Sequence, residues 1–219
     1  TSPPTVESFT MEGNTTATQV SNVDLFLTGF DETGSGVSQY RMRSAGDAWP
    51  GWTSMASGSI EIQDFTLAVA EGETQVLEAQ IMDAAGNISP VKSLGIKLDT
   101  TGPSVLSTHD DTQPQSGETI PQNSTLIQIK FDEPMDKSSF SPSNFYVSEA
   151  GSPILDKVTF NSDATIARFQ FNIDENGIVT NPLTQNSDYT IFIGGSVEDI
   201  AGNAMGNDES WWFQTDFAV

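Results

Sequence analysis

Along this chain, short runs of alternating apolar and polar residues are separated by clusters of Gly, Ser, Asp, Asn and Pro. Residues 65–69 alternate strictly. In residues 37–43, Val37 or Ser38, Tyr40 and Met42 alternate with Gln39, Arg41 and Arg43. A period of two is that of a half-buried β-strand, because successive side chains point to opposite faces of a sheet. The pattern predicts strands at 23–30, 37–43, 60–62, 65–69, 76–82 and 91–98, and again at 126–131, 145–147, 157–160, 166–171, 189–193 and 211–215. A helical period beyond about two turns is missing, and residues 137–140 have room for a single turn. In 211–215, alternation sends Trp211 and Phe213 to one face and Trp212 to the other, which sets Trp212 at the surface or an interface. Many short strands with turn signals between them predict a β-sandwich rather than one large barrel.

An internal echo divides the chain. Asp83-Ala84-Ala85-Gly86-Asn87 returns as Asp199-Ile200-Ala201-Gly202-Asn203, and Thr1-Ser2-Pro3-Pro4-Thr5-Val6 matches Thr100-Thr101-Gly102-Pro103-Ser104-Val105 in type and order. Thr, Ser, Pro and Gly followed by Val read as an extended linker leading into a first strand. The expected units are 1–102 and 103–219. In Asp-x-Ala-Gly-Asn, Asp accepts backbone N–H bonds in a tight reversal, Gly takes a positive φ, and Asn tolerates the left-handed region. The favoured reading of each copy is a structural turn.

Composition narrows the function classes. The chain of 219 residues has 30 Asp and Glu against 8 Lys and Arg, a net charge of −22, one His and no Cys. The acids are spread over both halves. Such a surface repels nucleic acid and anionic membranes, so neither is expected as a partner. Thiol nucleophiles, Cys-ligated zinc and disulfides are ruled out. A lone His makes His-rich metal sites and Ser-His-Asp hydrolysis poor expectations. An apolar run of about 18 residues, as a membrane span needs, is not found, so direct membrane insertion is not expected. With 36% hydrophobic and 9% aromatic residues, the apolar content suffices for a core and disorder is not expected. The chain starts at Thr, as a fragment or a processed product would.

Two resemblances cover nearly the whole chain. The first unit resembles the bacterial immunoglobulin-like repeats of large surface and secreted adhesins. That likeness is carried by Asp31-x-x-Gly34-Ser35-Gly36-Val37, Gly72-Glu73-Thr74-Gln75-Val76, Asp83-Ala84-Ala85-Gly86-Asn87-Ile88-Ser89 and Ile96-Lys97-Leu98-Asp99-Thr100-Thr101-Gly102-Pro103. The second resembles the immunoglobulin-like domain of S-layer and other cell-envelope proteins. It does so through Ile120-Pro121-x-Asn123-Ser124, Phe131-Asp132-Glu133-Pro134-Met135-Asp136, Asp188-Tyr189-Thr190-Ile191, Gly195-Ser196-Val197-Glu198-Asp199-Ile200-Ala201-Gly202-Asn203 and Phe213-Gln214-Thr215. The resemblance implies an all-β fold of two Ig-like Greek-key β-sandwiches in tandem. It also implies a non-catalytic spacer or adhesive segment of a larger secreted or cell-surface protein, with neighbouring domains of the same polypeptide as partners. These are turn and linker motifs, so they speak to fold more than to function.

Three kinds of candidate chemistry remain. An immunoglobulin sandwich gathers its second-to-third-strand loop and last hairpin at one end. That places Asp132, Glu133 and Asp136 beside Glu198, Asp199 and Asn203, with Asp99 in the linker. Ca²⁺ takes six to eight oxygen ligands and suits such a set. A Ca²⁺ site at the domain junction is therefore weighed, with Asp99, Asp132, Asp136 and Asp199 as ligands, against turn-capping acids that face water. Trp49-Pro50-Gly51-Trp52 sets two planar side chains in one loop, as a glycan or other surface ligand would require. Its alternative is a Trp plugging the edge of a small sandwich. This second reading makes the chain a carbohydrate-binding accessory module of an extracellular polysaccharide-active enzyme. The acid pairs Asp110-Asp111, Asp174-Glu175 and Asp208-Glu209 read as solvated turns rather than as a glycosidase pair across a cleft, and no catalytic residue is assigned. Asn14, Asn87 and Asn123 head Asn-x-Ser/Thr acceptors, which matter only in a host that glycosylates them.

Overall fold

The computed structural model describes residues 2–32, 34–122, 124, 126–153, 157–170 and 183–216. Phe171, the pair Asp174-Glu175, and Asn123 and Thr125 of one acceptor lie outside the described residues. The chain divides into two compact units, Thr1–Thr100 and Thr101–Val219.

The first unit runs β1 (Thr5–Met11), β2 (Ala17–Thr18), β3 (Asn22–Phe30), β4 (Val37–Ser44), β5 (Thr53–Ser54), β6 (Ser59–Thr66), β7 (Thr74–Asp83) and β8 (Lys92–Leu98). These strands make a three-stranded sheet, β1-β3-β6, and a five-stranded sheet, β2-β8-β7-β4-β5. Alternation selects the buried face. Leu77, Ala79 and Ile81 of β7 meet Leu25 and Leu27 of β3 and Phe9 and Met11 of β1 in one core, with Tyr40 and Met42 of β4 packed against it. The expected strands 60–62 and 65–69 are one strand that ends at Thr66. β6 carries a bulge opposite Asp24, where Asp64 adopts a φ of 54° and its N–H donates to the Asp24 carboxylate at 2.8 Å. Asp is one of the few residues that enter the left-handed region readily, so the break in alternation falls on it.

The second unit runs β9 (Thr119–Ile120), β10 (Leu126–Lys130), β11 (Phe145–Glu149), β12 (Ser152–Pro153), β13 (Lys157–Phe160), β14 (Ile166–Gln170), β15 (Asp188–Ile193) and β16 (Glu209–Thr215). Its sheets are β10-β14-β13 and β12-β11-β15-β16-β9. The larger sheet repeats that of the first unit, including a two-residue strand laid parallel on the last strand (β2 on β8, β9 on β16). Val105, expected to open a strand, makes only a bridge to Phe131. The single turn expected near 137–140 is a 3₁₀ turn, Lys137–Ser139, capped by Asp136. Behind it, Phe140 sets its ring edge-on to Phe131, Phe145 and Phe160 at 5.9, 5.0 and 4.9 Å. Phe145 stacks on Phe169 at 4.1 Å and Tyr189 on Phe213 at 5.3 Å. Trp211 packs against this core, whereas Trp212 on the outer face is 52% exposed.

Candidate functional site

The echoed motif builds the same object twice. Asp83 closes β7 and is 1% exposed. Its Oδ1 accepts the N–H groups of Ala85 (2.9 Å) and Asn87 (2.8 Å), and its Oδ2 accepts the Asn87 side-chain amide (2.7 Å). Asp199, also 1% exposed, accepts the N–H groups of Ala201 (2.7 Å) and Asn203 (2.9 Å) and the Asn203 amide (2.9 Å). In both turns the Gly, at φ 92° in Gly86 and 90° in Gly202, donates its N–H to the Asp carbonyl at 3.2 Å. The Asn87 amide, aided by the N–H groups of Asn87, Ala85 and Gly86, outweighs burial and holds the Asp83 carboxyl below the usual carboxylate range.

In the second unit, the loop after β10 and the loop after β15 are stitched together. Asp136 N–H donates to the Glu198 carbonyl (2.8 Å), Ile200 N–H to the Pro134 carbonyl (3.2 Å), and Glu198 N–H to Ser139 Oγ (2.9 Å). Asp132 reaches the start of the same unit, with Oδ1 accepting Ser104 N–H at 2.8 Å. Asp136 holds Ser138 through its N–H and hydroxyl. Asp132, Asp136 and Asp199 thus stand on two adjoining loops. Asp99 closes the first unit, 3% exposed, where its N–H donates to the Thr18 carbonyl at 2.9 Å and its carboxylate accepts Lys97 Nζ. A carboxylate has about four lone-pair sites. Hard oxygen donors of this kind are those that Ca²⁺ takes.

Trp49 and Trp52 are half-buried, and neither belongs to the core of the first unit. The loop between β4 and β5 folds them onto the outer face of the five-stranded sheet. Arg41 lies over Trp49 at 4.6 Å and over Trp52 at 4.4 Å, and Arg43 lies over Trp49 at 4.1 Å. Residues two apart on a strand are about 6.7 Å apart, which leaves room for one ring between two guanidinium planes. Each Arg is fixed from β7 by its cross-strand partner. Arg41 donates to Gln80 Oε1 from Nε (3.1 Å) and Nη2 (2.6 Å), and Arg43 pairs with Glu78 at 2.7 Å. The edge-plug alternative for these tryptophans is thereby corrected: the strand's outward period places two cations beneath the loop, and the rings settle on them.

A bacterial Ig-like domain model matches residues 99–215, more than half of the chain. The chain belongs to the bacterial Ig-like domain family. No curated protein matches it. Among solved structures, a chimeric titin Z1Z2 carrying an exogenous peptide from decorin is similar at 11% identity and a TM-score of 0.39, with 99% of this chain and 97% of that one covered. The fibronectin(III)-like modules of Clostridium thermocellum CbhA match at 13% and 0.38, covering 95% and 94%. A chitinase from Bacillus thuringiensis matches at 16% and 0.33, covering 99% of this chain and 28% of the chitinase, so the chain spans under a third of that protein's length.

The matched Ig-like unit also has a corner that the sequence reading named only as a motif residue. Tyr189, 1% exposed at the start of β15, accepts Thr184 N–H on its hydroxyl at 2.7 Å, tying the preceding turn to the sheet. In the first unit Gln75 does this work. Its Oε1 accepts Ala68 N–H (2.6 Å) and its Nε2 donates to Ser44 Oγ (2.9 Å). The signal available beforehand was a polar-tipped residue at an inward position of each strand.

Proposed function

We propose that the two Ig-like units act as a non-catalytic spacer, with an adhesive capacity, in a larger secreted or cell-surface protein whose neighbouring domains are their partners. The observation that supports this most is that each unit encloses a hydrophobic core of its own and seals its last hairpin with an Asp-centred turn. A module built this way resists extension by shearing whole strands past one another. Among the described residues, no helix is long and apolar enough to cross a membrane. Pulling the chain by its ends in a single-molecule instrument is expected to give two separate unfolding events, releasing roughly 30 nm of chain for the first unit and roughly 35–40 nm for the longer second unit. One merged event, or smooth yielding without peaks, would sink the spacer reading.

Calcium at the linker, held by Asp99, Asp132, Asp136 and Asp199, belongs to this proposal on the strength of the residue types, since carboxylate oxygens are the donors Ca²⁺ takes. Titration of the chelator-treated protein with Ca²⁺ is expected to release heat and raise the melting temperature. Absence of both changes would remove calcium from the reading. The cation ladder on Trp49 and Trp52 supports a clamp that holds the loop between β4 and β5 to the sheet.

A further inference from the structure

Trp212 has a different setting from Trp49 and Trp52. It is 52% exposed on the outer face of β16, and among the described residues no Arg or Lys stacks on it. Its ring lies against Gly117, where a side chain added at that glycine would meet Cζ2 at 3.6 Å and Cη2 at 3.8 Å. Gly117 forms one wall of an open cleft of about 470 Å³, whose other walls are Asp110, Gln113, Gln115, Ser116 and Glu118. The loop that makes these walls is held firmly. Gln113 exchanges backbone hydrogen bonds with Gln128 at 2.8 Å, Trp211 Nε1 donates to the Pro114 carbonyl at 2.8 Å, and Gly117 N–H donates to the Trp212 carbonyl at 2.8 Å. Thr112, fully buried, donates its hydroxyl to Leu106 and accepts Lys130 N–H.

We propose that this cleft and Trp212 form a binding site for a neutral polysaccharide. A pyranose ring has an apolar C–H face and a rim of hydroxyls, so its site needs an exposed aromatic surface beside carboxylates and amides. Trp212 supplies the first. Asp110, Glu118, Gln113 and Gln115 supply the second, and the amides of Gln113 and Gln115 are steadied by the Asp110 and His109 carbonyls. Two acids in the cleft and a net charge of −22 repel uronate, sulfate and phosphate, which turns anionic polysaccharides away. The hydrogen bonds that fix the loop hold the cleft in shape, and ligand sites are usually largely pre-formed.

Affinity electrophoresis of the whole chain through gels containing hydroxyethylcellulose, arabinoxylan, galactomannan or glycol chitin tests this. The expected result is retardation by at least one of these polymers. It should weaken at least tenfold in Trp212→Ala and severalfold in Asp110→Ala, persist in Trp49→Ala, and be unchanged by salt. Circular dichroism and melting of Trp212→Ala check that the variant is folded, which its outward position favours. Absence of retardation in all four gels, retardation unaffected by Trp212→Ala, or loss of retardation in Trp49→Ala would each overturn the proposal. So would concentration-dependent dimerisation that Trp212→Ala abolishes, since Trp212 would then serve a second copy of the chain. None of these outcomes bears on the two unfolding events that test the spacer.

Discussion

Removing the carboxylate of Asp199 should destabilise the second unit far more than a surface acid would. In Asp199→Ala three donors lose their acceptor together: Ala201 N–H, Asn203 N–H and the Asn203 amide. A buried donor left without a partner costs about 1–3 kcal/mol, and the turn's partial exposure lets water meet some of that demand. A net loss of about 3 kcal/mol follows, near the upper end for single substitutions. Differential scanning calorimetry should show the second unit's transition fall by roughly 10–15 °C. The first unit's transition should stay where it is, because its own turn is intact. Asp199→Asn retains an oxygen for the two backbone donors, and the Asn203 amide can turn its oxygen to the new amide. Its loss should be about 1 kcal/mol. A double-mutant cycle with Asn203→Ala should return a coupling of about 1–2 kcal/mol. A loss below about 1 kcal/mol in Asp199→Ala would refute the reasoning, since the hairpin would then be held by strand pairing and Gly202 alone.

The remaining predictions concern other parts of the chain. Arg41→Ala removes two aromatic contacts and the Gln80 bonds, and should cost about 1–2 kcal/mol while exposing the loop around Pro50-Gly51 to limited proteolysis; Arg41→Lys should recover little of either. Because the folded Asp83 carboxyl titrates below its unfolded value, its contribution is fully present above the ordinary carboxylate pKa and is lost as pH falls through the lowered folded value. The urea midpoints of the wild type and Asp83→Asn should therefore differ at pH 7 and converge in acid. Gly102→Ala would set its new methyl 2.2 Å from the Ala204 carbonyl oxygen, so the start of the second unit must shift away from the last hairpin. Thermal melting should report a loss there, whereas Gly51→Ala, with open space around it, should be nearly silent.

Much of the fold could be read from the chain because its alternation is local. Tyr40 and Met42 turn inward and Arg41 and Arg43 outward, as the period of two requires. The Asp-x-Ala-Gly-Asn turns could be read because the bonds that the Asp carboxylate accepts in them come from within five consecutive residues. What could not be read depends on register. The alternating run around Gln63 to Phe65 breaks at Asp64 only because β3 and β6 pair with unequal spacing there. The strands β2, β5, β9 and β12 are two residues long, too short to carry a period, and exist because an adjacent edge offers them partners. Trp49-Pro50-Gly51-Trp52 advertised two aromatic rings, but which cations meet them follows from Arg41 facing Gln80 and Arg43 facing Glu78 across β7. The cleft beside Trp212 was hidden for the same reason: Gly117 and Trp212 are far apart in sequence and meet through a hydrogen bond between the loop and β16.

The two turns also separate encoding from surroundings. Asp83 and Asp199 sit in units whose cores differ in kind, one mainly aliphatic and the other centred on stacked and edge-on Phe rings. Their corner residues differ as well, Gln75 in one and Tyr189 in the other. Yet matching bonds to the Asp oxygens in the two turns agree within about 0.2 Å, and the glycine φ values within 2°. A geometry that survives such a change of neighbours is specified by its own five residues, since Gly supplies the positive φ and Asp the acceptors. It follows that Ala84→Ile, the single change that turns residues 83–87 into Asp-Ile-Ala-Gly-Asn, should preserve the first unit's melting temperature within about 2 °C. Exchanging Gln75 for Tyr should lower it clearly, because Ala68 N–H and Ser44 Oγ are placed to meet an amide. If Ala84→Ile proved the more damaging of the two, local encoding would be the wrong account, and the turn would owe its form to the sheet beneath it.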